Sequence, residues 1–359
     1  MGNVLESLPD SIGDLKKLYR LGLKSNKLRT LPATFGGLEA LVELFATDND
    51  LEELPAGMGH LKSLVKLQLS FNRLHSLPSE MGYLPKLELM RVAVNDIQDV
   101  PDSFAELHRL AWFSLAGNPA CAEAHPPRPD ILTLLPQDVP PEEVLGSGAS
   151  GEVHASIYQS QAVAVKRFVA DVSPDGHARD EIAVSCCIDH PHLIKVIGMI
   201  VEPPSLVVGR VQGQQMAAKP NLQSLLRCRW DDGTSFQIEF LLRVAASIAS
   251  ALAYLHSLGI CHGDVYAHNI LPDASGNAVL CDYGASFFYT KGPVPWEAQE
   301  VRAYGLFVND MIARLSSKTD TSVRRFRSLI TRCMEEPTQS RPLFQDIVQE
   351  LDVLRSNMR

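Results

Sequence analysis

A glycine string, one lysine, three carboxylates and one asparagine carry the chemistry available to this 359-residue sequence. Gly146, Gly148 and Gly151 give the spacing GxGxxG inside the run 145–153. Alone, that string also suits a dinucleotide site. Its context differs. Val153, Ile157 and Tyr158 continue as a strand where a dinucleotide fold would open a helix, and Val163-Ala164-Val165-Lys166 follows soon after. The arrangement predicts a hairpin flap over phosphates, backed by a cation. Further on stand Glu181, the run His262-Gly263-Asp264 with Asn269 behind it, and Cys281-Asp282-Tyr283-Gly284. An ammonium held by a carboxylate is fixed in place to bridge phosphate oxygens. Carboxylate oxygens suit a hard divalent cation. The chemistry these groups can do together is phosphoryl transfer.

Elements must hold them. A short apolar strand carries Lys166, and a helix carries Glu181. Residues 251–260 are rich in alanine and leucine and end at Gly259, a helix C-cap, so a helix delivers the chain into 262–269. Taken singly, Lys166 and Asp282 would be surface charges. Their order and spacing reverse that reading.

In order and spacing these motifs resemble the protein kinases, over about 140–357. His262–Asn269 matches HxDxxxxN, and Asp282-Tyr283-Gly284 matches DFG with Tyr for Phe. The resemblance implies an α+β bilobal protein-kinase fold, ATP and Mg2+ as cofactors, and a protein substrate accepting phosphate on Ser or Thr. It makes Asp264, Lys166 and Glu181 catalytic. Glu181 would be the partner of Lys166; Asp180 competes, but the spacing before His190-Pro191-His192-Leu193 favours Glu181. It assigns ATP contacts to Leu145, Gly146, Ser147, Gly148, Ala149, Ser150, Gly151, Val153, Ala164, Lys166 and Leu271, and Mg2+ to Asn269 and Asp282. Cys333–Pro337 with Arg341-Pro342 resembles the family's closing segment, whose arginine pairs with a glutamate, here Glu297.

The sequence departs from the family at four places. Gly263 replaces an arginine that receives an activation-loop phosphate, so phosphate-dependent ordering is expected to be absent. Tyr266 replaces a lysine near the transferred phosphate, and Glu300 an aspartate of the following helix. The segment from Asp282 to Glu297 is short, so a reduced peptide-docking platform is expected. Two other readings stand beside the active enzyme: a pseudokinase scaffold, and a small-molecule phosphotransferase sharing His-Gly-Asp-x4-Asn.

The first third repeats. Asn3, Asn26, Asn49, Asn72, Asn95 and Asn118 fall at intervals of 23 residues, with units of the form LxxLxxLxLxxNxLxxLPxxxxx. This resembles the intracellular leucine-rich repeat and implies an α/β solenoid before the kinase fold. Each unit places a short strand, with its asparagine bonding backbone groups and its Leu-Pro pair starting the return. The outward columns are Arg20, Glu43, Lys66, Leu89, Trp112 and Gly22, Phe45, Gln68, Arg91, Ser114. Phe45, Leu89 and Trp112 are apolar where water is expected, so they are the candidate surface for a protein partner. The chain starts two residues before Asn3, so the first strand and an N-terminal cap are expected to be missing.

The domains expected are therefore repeats over 3–125, a proline-rich semi-rigid linker over 126–141, and the kinase domain over 142–357. Net charge is −9, divided −3 and −6 about Pro129, which excludes a basic nucleic-acid binder. No apolar run reaches the length of a membrane span and no secretory signal opens the chain. Met1-Gly2-Asn3 only hints at acylation, since Glu6 stands where Ser or Thr is wanted. Seven scattered cysteines lack metal or disulfide spacing, which points to reduced thiols and a cytoplasmic location.

Overall fold

The computed structural model describes residues 2–148, 151–169, 173–211, 213–316 and 321–356. Five short strands open it: β1 (Arg20–Gly22), β2 (Glu43–Phe45), β3 (Lys66–Gln68), β4 (Leu89–Arg91) and β5 (Trp112–Ser114). They form one parallel sheet in which Arg20, Glu43, Lys66, Leu89 and Trp112 are register partners, as are Gly22, Phe45, Gln68, Arg91 and Ser114. A proline (Pro9, Pro32, Pro55, Pro78, Pro101) precedes each 3-10 return turn in extended backbone, because its ring cannot continue a strand ladder. Successive return turns stack closely. A Cβ on Gly82 would lie 2.3 Å from the Ser103 carbonyl oxygen.

The ladder asparagines from Asn26 to Asn118 are buried and hydrogen-bonded, whereas Asn3 is exposed. Asn49 donates from Nδ2 to the carbonyls of Leu23 (3.0 Å) and Ala46 (3.1 Å), and its Oδ1 accepts from the Leu28 amide at 3.1 Å. Asn72 and Asn95 repeat the pattern one unit on. Each amide satisfies backbone groups from two neighbouring units, which locks the stacking.

The rest of the chain begins with β6 (Leu132–Leu134), β7 (Val144–Ser147), β8 (Gly151–Tyr158) and β9 (Gln161–Phe168), followed by α1 (Ala178–Cys187), β10 (Val196–Ile200) and β11 (Ser205–Gly209). Their sheet runs β6-β10-β11-β9-β8-β7. The expected linker is thus not a free spacer. The proline-free run Ile131–Leu135 pairs with β10 as an edge strand, flanked by prolines that an edge tolerates. Arg128 fastens it, bonding the Val196 carbonyl (3.0 Å) and pairing with Asp189 at 3.1 Å.

A helical half follows, with α2 (Ile238–Ser257), β12 (Ile260–Cys261), β13 (Ile270–Pro272), β14 (Ala278–Leu280), β15 (Phe287–Phe288), α3 (Trp296–Ile312), α4 (Thr321–Cys333) and α5 (Phe344–Ser356). The apolar α2 is long enough to cross a bilayer, but it is a core helix, buried through Leu241, Ile248, Leu252 and Leu255. Two apolar clusters cross from the repeats into this half. Leu89 and Trp112 join the cluster around α2, while Phe287, Tyr289 and Trp296 join the repeat core.

Candidate active site

Lys166 sits on β9 with its aliphatic stem in the sheet and its ammonium turned to α1. Its Nζ donates to Glu181 and, at 3.2 Å, to Asp282. Burial works against the lysine's charge, but the two carboxylates hold it above the ordinary lysine range. Asp282 is held well below the carboxylate range, first by Lys166. Glu181, which is the more deeply buried, is pushed up to about 7 by burial against the pull of Lys166. Two carboxylates share one ammonium, and the buried one keeps its proton longer. Asp282 has φ +67°, a left-handed conformation unusual for its type.

Asp264 lies on the loop between β12 and β13. Asn269 closes this loop by donating to the Asp264 carbonyl (2.9 Å) and to its Oδ2 (2.8 Å). The Cys281 amide bonds the Asn269 carbonyl at 2.9 Å, which ties this loop to the one bearing Asp282. Glu300, wholly buried on α3, accepts from the Gly263 amide (2.6 Å), the His262 amide (3.2 Å) and His256 (2.8 Å). Burial pushes its carboxyl up, but the His256 bond, the neighbouring histidine charges and the Gly263 amide bring it below the usual range. The longer side chain at 300 therefore still reaches the catalytic loop. His256, Cys261 and Glu300 lie close together, but both Glu300 oxygens already hold N–H donors.

The glycine flap divides by role. A Cβ on Gly151 would collide with the Arg167 carbonyl at 1.8 Å, so strand pairing excludes a side chain there. A Cβ on Gly146 would meet nothing within 4 Å, and one on Gly148 only Lys219 at 3.9 Å. That open backbone, with Lys166 nearby, fits a polyphosphate. The oxygen donors of Asp282 and Asn269 fit Mg2+. Val153 is the register partner of Lys166, Ala164 is buried on β9, and Leu271 is half-buried on β13. Leu145 and Ser147 are exposed on β7, and Ala149 and Ser150 lie outside the described residues.

Two expectations fail. Arg341 does not pair with Glu297. It donates instead to the carbonyls of Glu335, Ala298 and His108, while Glu297 accepts from the Tyr289 hydroxyl at 2.8 Å. With so short a segment after Asp282, the repeat array rather than a long loop reaches the arginine. Second, Leu89 and Trp112 are not an open surface for another protein; both are buried in the apolar cluster of the chain's own helical half. Trp112 stacks on Tyr266 (4.4 Å between centroids, 6° between planes) and donates from Nε1 to the Val265 carbonyl at 3.0 Å. Phe45 remains half-buried under Lys66.

Arg91 is the residue that sequence reasoning left among the outward columns without a role. Its guanidinium pairs with Asp264, bonds the Gly263 carbonyl at 2.9 Å, and pairs with Asp175 at 3.0 Å. Burial opposes its charge, but Asp264 and Asp175 raise it above the ordinary arginine range. The signal was present at Gly263, which has φ +74°. A Cβ there would lie 2.3 Å from the Phe113 carbonyl oxygen.

Known proteins share both halves. Residues 140–305 match the family model described as protein kinase domain, and residues 62–119 that described as leucine rich repeat. A probable serine/threonine-protein kinase of Dictyostelium discoideum is 28% identical over 254 residues, covering 58% of this chain and 15% of the relative. Serine/threonine-protein kinase TNNI3K of Mus musculus is 29% identical over 192 residues, covering 48% and 22%. Tyrosine-protein kinase ABL2 of Mus musculus is 31% identical over 183 residues, covering 47% and 15%. The chain thus spans less than a quarter of the length of each of these relatives.

Proposed function

We propose that this chain, a protein kinase domain preceded by leucine-rich repeats, transfers the γ-phosphoryl group of ATP to a serine or threonine hydroxyl of a protein. The observation that carries this reading is the gathering of Lys166, Glu181 and Asp282 with Asp264 and Asn269 at one site. Phosphoryl transfer needs little covalent help from the protein; positioning and charge stabilisation do most of it. Lys166, steadied by Glu181, would bind phosphate oxygens beneath the open backbone of Gly146 and Gly148. Asp282 and Asn269 would hold Mg2+, which supplies positive charge against the phosphates when bound. Asp264 would orient the acceptor hydroxyl and take its proton. The serine/threonine direction rests on two relatives named for it. The seven free cysteines fit the reducing cytoplasmic location proposed for the chain.

A second reading, a nucleotide-binding scaffold without transfer, draws support from Arg91 on Asp264. A transfer assay with phosphosite mapping separates the two. Asp282→Asn should abolish transfer while the fold survives, and Asp264→Asn should keep ATP binding but lose turnover. Near wild-type turnover in Asp264→Asn would refute the assignment of the catalytic loop.

A further inference from the structure

We infer that the far half of the repeat face occupies the acceptor side of the catalytic loop, with Arg91 standing where a substrate hydroxyl would have to enter. The inference rests on the phosphotransferase reading above. Asp264 has two carboxylate oxygens. Oδ2 accepts from Asn269 at 2.8 Å, which leaves Oδ1 for an acceptor, and Oδ1 is the atom Arg91 holds. All three Arg91 contacts lie in the other half of the chain, on Asp264, Gly263 and Asp175. Broken open, this cation would leave two carboxylates without their partner.

The contact is broad. Trp112 covers Tyr266, and the Phe113 amide bonds the Gly263 carbonyl at 3.2 Å, so the catalytic loop caps the free edge of β5. Ser114 Oγ and Ser70 Oγ donate to the carbonyls of Asp175 (2.7 Å) and Pro174 (2.5 Å). On the α3 side, Gln299 and Arg302 donate to the carbonyls of Phe104 and Arg109, each at 3.2 Å. Val265 and Tyr266 are buried beneath this cover, so a polypeptide cannot be laid along the loop without lifting the array.

The sequence is adapted to the docked arrangement at one position above all. Residue 263 takes a left-handed backbone, and any Cβ would strike the carbonyl oxygens of Phe113, at 2.3 Å, and of Ala285, at 2.8 Å. The arginine usual in the family cannot stand there while the array is docked; glycine can. Ser286 and Tyr289 are buried too. Their hydroxyls bond the His262 carbonyl and Glu297, which withdraws both from phosphorylation in this state. The array therefore acts as an intramolecular lock on the acceptor side. Turnover on a protein scales with the fraction of molecules in which the array has lifted.

The test uses the full chain with Mg-ATP and two generic acceptors, casein and histone H1. Arg91→Gln removes the cation and Trp112→Leu thins the cover from the repeat side. Each should raise transfer about tenfold or more, with the ATP KM within about twofold of wild type. Lower or unchanged transfer in both, with ATP binding intact, overturns the lock and would make Arg91 a residue that positions Asp264. Hydrogen exchange on the same samples separates the two readings. Faster exchange over 262–269 in Trp112→Leu with no transfer in any variant keeps the occupancy and sinks the phosphotransferase. Unchanged exchange there in both variants overturns the occupancy itself.

Discussion

Strands β1–β3 and strands β4–β5 share one register, one ladder and one core, yet their outward faces meet different surroundings. Gly22 is exposed, Arg20, Phe45, Lys66 and Gln68 are half-buried, and Glu43 alone is buried, in its pair with Arg20. Leu89, Arg91, Trp112 and Ser114, their register partners, are all buried. The periodic part of each unit sets the scaffold and is blind to this difference. The two outward positions per strand decide it. Where they carry Leu, Trp and an arginine with acidic partners, the strand is covered; on β1–β3 only Arg20 reaches across, to the Leu222 carbonyl at 2.8 Å, and Phe45, Lys66 and Gln68 stay partly open. A leucine-rich array can thus commit part of its face to its own chain and leave the remainder available.

The largest contrast should come from truncating one aromatic on each half. Trp112→Ala should cost about 3–5 kcal/mol, as a buried tryptophan with a stacked partner does. Phe45→Ala should cost about 1 kcal/mol or less, mostly its contact with the Lys66 ammonium. Chemical denaturation of both variants checks this. Equal costs would mean that the array does not dock as described. Next come two arginines. Arg91→Ala should cost about 2 kcal/mol, because it removes a buried cation from two half-buried carboxylates. Arg73→Ala, which breaks an exposed pair with Asp50, should stay within about 0.5 kcal/mol.

Much of this was legible. The 23-residue interval placed every outward column at its observed register, because a repeat forces equivalent residues into equivalent positions. The ordered motifs paired Lys166 with Glu181, whereas the bond from Lys166 to Asp282, a residue expected only as a Mg2+ ligand, was not foreseen. The apolar types at 45, 89 and 112 read as a surface for a protein partner; two of the three are covered, by the chain itself. Its occupant was not legible, since no periodicity links Arg91 to Asp264 across 173 positions. Glycine at 263 and the short segment after Asp282 were the available clues, and they read as losses rather than as room made for β5. The Arg341–Glu297 pairing failed for the same reason: the arginine's place is taken up by backbone carbonyls, one of them from the array.

A smaller effect isolates the catalytic cluster from the docked face. Glu181 titrates at about 7 in the folded chain, above its ordinary 4.5. The folded state therefore binds more protons than the unfolded state between those values. The stability from this group is fully present below 4.5 and is lost as pH rises through about 7. Glu181→Gln should flatten that slope in thermal melts between pH 5 and 7.5. An unchanged slope would place the titration elsewhere.

The most direct measurement of the docked half is hydrogen exchange mass spectrometry on wild type and Gly263→Arg. The substitution adds a Cβ where the Phe113 carbonyl oxygen lies 2.3 Å away and the Ala285 carbonyl oxygen 2.8 Å away, so the loop must shift, and exchange over 112–114 reports whether it had covered β5. Exchange over 112–114 and 262–266 should accelerate together by about tenfold or more, while 43–45 keeps its wild-type rate. Wild-type protection over 112–114 in the folded variant would contradict the account, because it would show that the catalytic loop does not cover β5.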